Sequence, residues 1–126
     1  MVVLDTSIII EHLRLQDTQK SSLFKIVKDF PQESLVISLI SLQELYEGQS
    51  TKDKKKERLL LETLKPLMFL PYSSEIAKLA GVIARDFKNP IEFADAAIAA
   101  TTIINRAKLA TLNKKHFHTI PELIIF

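Results

Sequence analysis

The sequence predicts an α/β protein, a three-layer α/β/α sandwich around a central parallel sheet of four to five strands. Two observations carry that prediction. Short apolar runs recur along the chain (Val2-Val3-Leu4, Leu35-Val36-Ile37, Met68-Phe69-Leu70 and Leu109-Ala110-Thr111), each of a length that suits a strand buried on both faces. Between them lie stretches with helical periodicity, and strand–helix alternation is the pattern of a parallel sheet covered by helices. A third observation poses a functional question. The opening, MVVLDTSIII, runs an apolar strand up to a carboxylate and turns apolar again almost at once. An ionised acid at the end of a buried element costs several kcal/mol unless something meets it.

The elements follow in order. Ser7 to Leu13 reads as a short helix. Gln16 to Phe30 reads as a longer one, with Leu23, Ile26, Val27 and Phe30 on its inner face and Pro31 as its stop. After the second strand, Ser38 or Ser41 caps a helix carrying Leu39, Leu42, Leu45 and Tyr46, which ends near Gly48. Thr51 or Asp53 opens the next helix, which closes before Pro66. Ser74 to about Phe87 forms another, Pro90 marks a loop, and Phe93 to Arg106 is an Ala-rich helix. A polar turn, NKKHF, follows the fourth strand, and Leu123-Ile124-Ile125 is a candidate fifth strand.

Composition narrows the class. The 126 residues read as a single domain, 1–126, large enough to bury a core. With 47% hydrophobic residues and only 2 Gly, the chain should be ordered nearly throughout. The absence of Cys excludes disulfides, thiolate metal sites and a cysteine nucleophile, and suits a reducing cytoplasm. No basic leader precedes Asp5, and no run reaches the roughly 18–20 apolar residues of a membrane span. A net charge of +2 does not by itself argue for nucleic-acid binding.

In a parallel α/β sheet the ligand site lies beyond the carboxyl ends of the strands. Asp5 follows the first strand, Glu44 lies in the helix after the second, and Asn113 follows the fourth. Each has a plain structural reading. Ser41-x-x-Glu44 fits a capping box. Asp95, in IEFADAAIAATTII, fits a first-turn acid favoured by the helix dipole, in a stretch from Phe93 to Ile98 expected to be mostly buried. Asn113 fits an N-cap, and as an oxygen donor it also stands as a catalytic candidate that could orient a water or touch a metal. Glu47, Glu92, His116 and His118 read as surface or packing residues. Taken together, however, Asp5, Glu44 and Asp95 would repel one another unless a cation neutralised them. Oxygen donors without Cys or a His cluster match Mg²⁺ or Mn²⁺. Such a site recruits phosphate oxygens and activates water for in-line attack on a phosphodiester. The dense basic run KDKKKER fits a solvated helix face, or phosphate contacts from Lys52, Lys54, Lys55, Lys56 and Arg58.

With VLDTSIIIEHLR, ISLISLQELYEG, FADAAIAA and LATLNKKHFHTIP in this order, the chain resembles PIN-domain ribonucleases of the VapC toxin type. The resemblance spans essentially the whole chain. It implies a Mg²⁺- or Mn²⁺-dependent endoribonuclease, a homodimer, and inhibition by a VapB-like antitoxin. By position it assigns the metal-binding acids to Asp5, Glu44 and Asp95. It gives supporting roles to Thr6 and to Ser7, whose hydroxyl would steady the first acid or a metal-bound water. Where the family often has a fourth acid, this chain offers Asn113 and then His116. That departure keeps open a second reading, a PIN-like module that binds RNA or a protein partner without cutting. A haloacid-dehalogenase phosphatase would need Asp at position 7, where Ser stands. A phosphate-accepting receiver domain would not place Glu44 on a helix.

Overall fold

The protein is described here by a computed structural model covering residues 1–126. Four parallel strands, β1 (Val2–Leu4), β2 (Leu35–Ser38), β3 (Met68–Leu70) and β4 (Lys108–Ala110), pair in the order β3-β2-β1-β4. β1 is thus central, with Val3 opposite Val36 on one side and Leu109 on the other. Seven helices cover the sheet: α1 (Thr6–Arg14), α2 (Ser22–Asp29), α3 (Leu39–Glu47), α4 (Lys54–Leu64), α5 (Ser74–Asp86), α6 (Phe93–Ile104) and α7 (Lys114–Phe117).

The pleat of β1 divides the core in two. Val2 and Leu4 pack with Ile8 and Ile9 of α1, Leu23 and Ile26 of α2, and Leu60 and Leu64 of α4. Val3 points the other way, to Ile76 and Ile83 of α5, Ile98 of α6 and Phe117 of α7. Successive side chains of a strand face opposite sides, so three apolar residues in a row serve two layers. The α/β/α sandwich expected from the sequence is the observed architecture.

Several boundaries differ from expectation. The helix expected over Gln16 to Phe30 breaks at Ser21. Thr18–Lys20 forms a 3₁₀ turn, and Ser21 then caps α2 by accepting from the Phe24 N–H at 3.0 Å. The hydroxyl also meets His12 Nδ1 at 2.8 Å, and Glu11 accepts the Ser22 N–H at 2.9 Å. Ser and Asp favour cap bonds over helix interiors, which explains the break. Starting at Ser22, the helix buries Leu23 and Ile26 but leaves Val27 53% exposed. Phe30, also exposed, packs edge-on against Phe126 with ring centroids 5.0 Å apart.

β3 is the open edge of the sheet, so Met68 and Phe69 are exposed rather than buried. The fifth strand shrinks to one parallel bridge, Leu109 to Ile125, flanked by Leu109 N–H to Ile124 O at 2.9 Å and Phe126 N–H to Leu109 O at 2.7 Å. The turn at Pro121 and Glu122 (φ 67°) delivers the chain to the sheet edge only at its last residues. α6 ends at Ile104, two residues early, because Arg106 takes the left-handed conformation (φ 53°) and the Ala107 N–H returns to Thr102 O at 3.0 Å.

The re-phased α2 makes a testable statement. Ile26→Ala should cost about 2–5 kcal/mol in urea unfolding, as a fully buried truncation does. Val27→Ala should cost no more than about 0.5 kcal/mol, as at exposed sites. Equal losses would restore the longer helix.

Candidate active site

Asp5 ends β1 and occupies the N-cap position of α1, yet its carboxylate caps nothing. Asp at this position ordinarily accepts from the first turn's N–H groups. Here Oδ2 is held instead by two hydroxyls, Ser7 Oγ at 2.7 Å and Thr111 Oγ1 at 2.8 Å. Those hydroxyls are themselves fixed: Ser7 Oγ accepts from the Leu112 N–H at 3.1 Å and Thr111 Oγ1 from the Asn113 N–H at 3.0 Å. Asp5 is only 3% exposed, and its Oδ1 receives no hydrogen bond from the protein.

Glu44 stands inside α3. That helix starts at Ser38, whose hydroxyl accepts from the Ile40 N–H, so the Ser41–Glu44 capping box does not form. Ser41 Oγ is buried without a partner. Glu44 Oε1 accepts from Thr6 Oγ1 at 2.6 Å, which binds α3 to the start of α1 and leaves Oε2 unengaged. Asp95 occupies the first turn of α6, consistent with the dipole reading. Its Oδ2 lies 3.5 Å from His116 Nδ1 on α7.

The electrostatics couple these groups. Burial raises the Glu44 carboxyl above its ordinary value, the Thr6 hydroxyl opposes that rise, and the charges of Asp5, Asp95 and Glu47 add to it. Asp95 is raised by burial and then by Asp5. His116 pulls it down, while Glu92 pushes it further up. As placed, though, no three of the Asp, Glu and His side chains close tightly enough to hold a metal ion. The convergence expected from the sequence therefore exists as a shared field rather than as an assembled ligand shell.

Two troughs open at this rim. One, of about 330 Å³, is lined by Asp95, Glu92, Lys115, His116 and His118. The other, of about 220 Å³, is lined by Glu44, Glu47, Gln43, Glu92 and Phe93. Phe93 was expected among buried residues but is 72% exposed, because it is the first residue of α6 and projects before the buried stretch Ala96–Thr102 begins. Asn113 precedes α7 with no side-chain cap bond and lines neither trough. Lys52, Lys54, Lys55, Lys56 and Arg58 are exposed at and just before the start of α4. Lys54 and Arg58 border a separate groove, beside β3, that contains none of the three acids.

Sequence reasoning missed Thr111, and it did not foresee that His116, exposed as expected, would lie 3.5 Å from Asp95. Thr111 read as a strand residue, since β-branched side chains favour strands. The only available signal was a hydroxyl directly after an apolar strand at the expected ligand rim.

The geometry predicts opposite responses from two acids. Asp5→Asn should lower stability, because a neutral amide oxygen accepts from the two hydroxyls more weakly than the charged carboxylate oxygen does. Asp95→Asn should be neutral or stabilising, because it removes a repelled charge. An acid with a raised folded pKa binds more protons folded than unfolded, so its contribution is full below the ordinary carboxylate range and is lost as pH rises through the raised value. Thermal melts in EDTA should show wild type losing stability as pH climbs from the ordinary carboxylate range toward neutrality, and Asp95→Asn losing less. Identical slopes would refute the coupling.

Comparison with known proteins agrees with this architecture. The PIN domain family model matches residues 2–123. Ribonuclease VapC10 of Mycobacterium tuberculosis is 32% identical over 126 residues, covering 98% of this chain and 90% of the relative. Among solved structures, VapBC2 from Rickettsia felis bound to a promoter DNA fragment aligns with TM-score 0.82 and 28% identity, covering 100% of this chain and 98% of that one. FitAcB from Neisseria gonorrhoeae aligns with TM-score 0.79 and 27% identity, covering 100% and 96%. The chain belongs to the PIN domain family.

Proposed function

We propose that this protein is an endoribonuclease dependent on Mg²⁺ or Mn²⁺, the toxin of a cytoplasmic toxin–antitoxin pair that works as a homodimer. The observation that carries the reading is Asp5, a buried carboxylate fixed through one oxygen and free at the other, with Glu44 and Asp95 in its field. The likeness to VapC10, named a ribonuclease, supports the reaction class, and the VapBC2 complex supports a paired antitoxin.

The donor set suits the cation. All three acids offer hard oxygen, the choice of Mg²⁺ and Mn²⁺. Each keeps at least one carboxylate oxygen outside any hydrogen bond. The ion, when bound, supplies charge for the phosphate oxygens and lowers the pKa of an attacking water. The protein's own contribution is placement. Ser7 and Thr111 fix the rotamer of Asp5, Thr6 fixes Glu44, and the buried α6 fixes the first turn that carries Asp95. The exposed cations of α4 would meet RNA through phosphates, which positions the strand without reading its bases.

Three measurements follow. Mn²⁺-dependent cleavage of a structured RNA should fall more than about 100-fold in Asp5→Asn, beyond the effect of losing a supporting hydrogen bond. RNA binding without any cleavage by wild type would favour the non-cutting module instead. Thr6→Val, which frees Glu44, should weaken Mn²⁺ binding about 10-fold in calorimetry while the fold survives by circular dichroism. Replacing Lys54, Lys55 and Lys56 by Gln should flatten the slope of log affinity against log salt by roughly 2, measured with Ca²⁺ to suppress cutting. An unchanged slope would place the RNA path elsewhere on the rim.

A further inference from the structure

We infer that the trough beside Glu44 is a nucleobase subsite, in which Phe93 stacks on an unpaired RNA base bearing an exocyclic amino group. The inference rests on the ribonuclease reading above and adds to it a contact that positions the substrate. Phe93 is 72% exposed, more than any other large apolar side chain. It joins neither apolar cluster of the core and pairs with no other aromatic ring, so the fold gains little from it. It opens α6 two residues before Asp95, and it lines the trough of about 220 Å³ with Ile40, Gln43, Glu44, Glu47 and Glu92. α3 runs from Glu44 through Glu47 to Gly48, where the turn into the basic run begins. Along the chain the trough therefore lies between the acids and those cations.

Charge decides which part of a nucleotide enters. Three carboxylates line this trough and no cation does, so it repels a phosphate. A nucleobase is neutral, and every base offers a π-face to an exposed aromatic ring. The neighbouring trough shares Glu92 but is also lined by Lys115, which can meet a phosphate. A strand crossing the rim can thus lay a base in one trough and a phosphate in the other. The edge of the base is selected too. Gln43 spends an amide N–H on Glu47 Oε1 at 3.1 Å, which leaves mainly oxygen acceptors facing the trough. Such acceptors pair with the amino groups of cytosine and adenine, and uracil has none.

The chain contains no Trp, so Phe93→Trp places a single fluorophore in the trough. In the full-length protein, with Ca²⁺ to suppress cutting, oligo(C) should quench its emission and an abasic oligomer of equal length should not. Phe93→Ala and Phe93→Leu should each lose about 10-fold in affinity for oligo(C), with Phe93→Tyr close to wild type. The slope of log affinity against log salt should stay that of wild type, because no charge is removed. Oligo(C) should bind more tightly than oligo(U), and Glu47→Ala should narrow that gap. An unquenched Trp, full affinity in Phe93→Leu, or equal affinity for the two oligomers overturns the inference. So does a wild-type dimer that Phe93→Ala converts to monomer in sedimentation, since the ring would then cover a second copy of the chain. If wild type neither binds nor cuts RNA, the ribonuclease reading fails and the subsite with it. If wild type cuts RNA and Phe93→Leu cuts it with the same kcat/KM, the subsite alone fails.

Discussion

The structure turns on how the Asp5 carboxylate is held. One oxygen accepts from two hydroxyls, Ser7 two residues on and Thr111 at the far end of the chain. Each hydroxyl is pinned by a backbone N–H from the turn after β4, at Leu112 and Asn113. A single side chain therefore joins the end of β1, the start of α1 and the entry to α7. Both donors are neutral, so they orient the carboxylate without cancelling its charge. An almost fully buried anion with only hydroxyl partners is an incomplete arrangement, and the incompleteness is local: the apolar layers on either side of β1 are closed.

The surrounding elements transmit that charge rather than relieve it. α3 and α6 bury Glu44 and Asp95 within the field of Asp5, and burial first, with that charge adding to it, makes both acids hold protons more tightly. The relief available is small, a hydroxyl from Thr6 and a half-exposed imidazole from His116. Natural proteins depart from local rules mainly at functional sites. The rim departs three times: an N-cap aspartate that caps nothing, a buried Ser41 hydroxyl without a partner, and an exposed Phe93 at the start of an otherwise buried helix.

What the sequence reveals of this fold tracks the strength of each local signal. The four strands were legible because apolar triplets between helical stretches admit few other readings, and the rim positions followed from strand–helix alternation. The break at Ser21 was harder, because the apolar period runs through it while a buried cap network with His12 and Glu11 decides the phase. The early end of α6 was also hidden, since Arg106 in a left-handed conformation replaces the glycine that usually marks such an end. Among site residues, the acids stood out against apolar surroundings, which made Asp5, Glu44 and Asp95 easy to nominate. Thr111 and His116 did not. Their roles depend on contacts with residues 106 and 21 positions away, and no periodicity encodes those.

Charge is also sorted across the surface in a way net charge conceals. The total is only +2, yet Glu44, Glu47, Glu92 and Asp95 gather at the two troughs while five cations crowd residues 52–58. Asp53 caps α4 from within that run, accepting from the Lys55 N–H at 2.9 Å, so the helix begins where its lysines face solvent. Lysines at a helix N-terminus oppose the dipole, and stability alone would place acids there. Asp53 and Glu57 lie within the run, yet no salt bridge engages its five cations, which leaves them free for an external anion. A polyanion bound there would bring phosphates to the edge of an acidic rim that repels them until a cation is shared. Affinity and chemistry would then reside in separate groups of side chains, joined only through the strand that spans them.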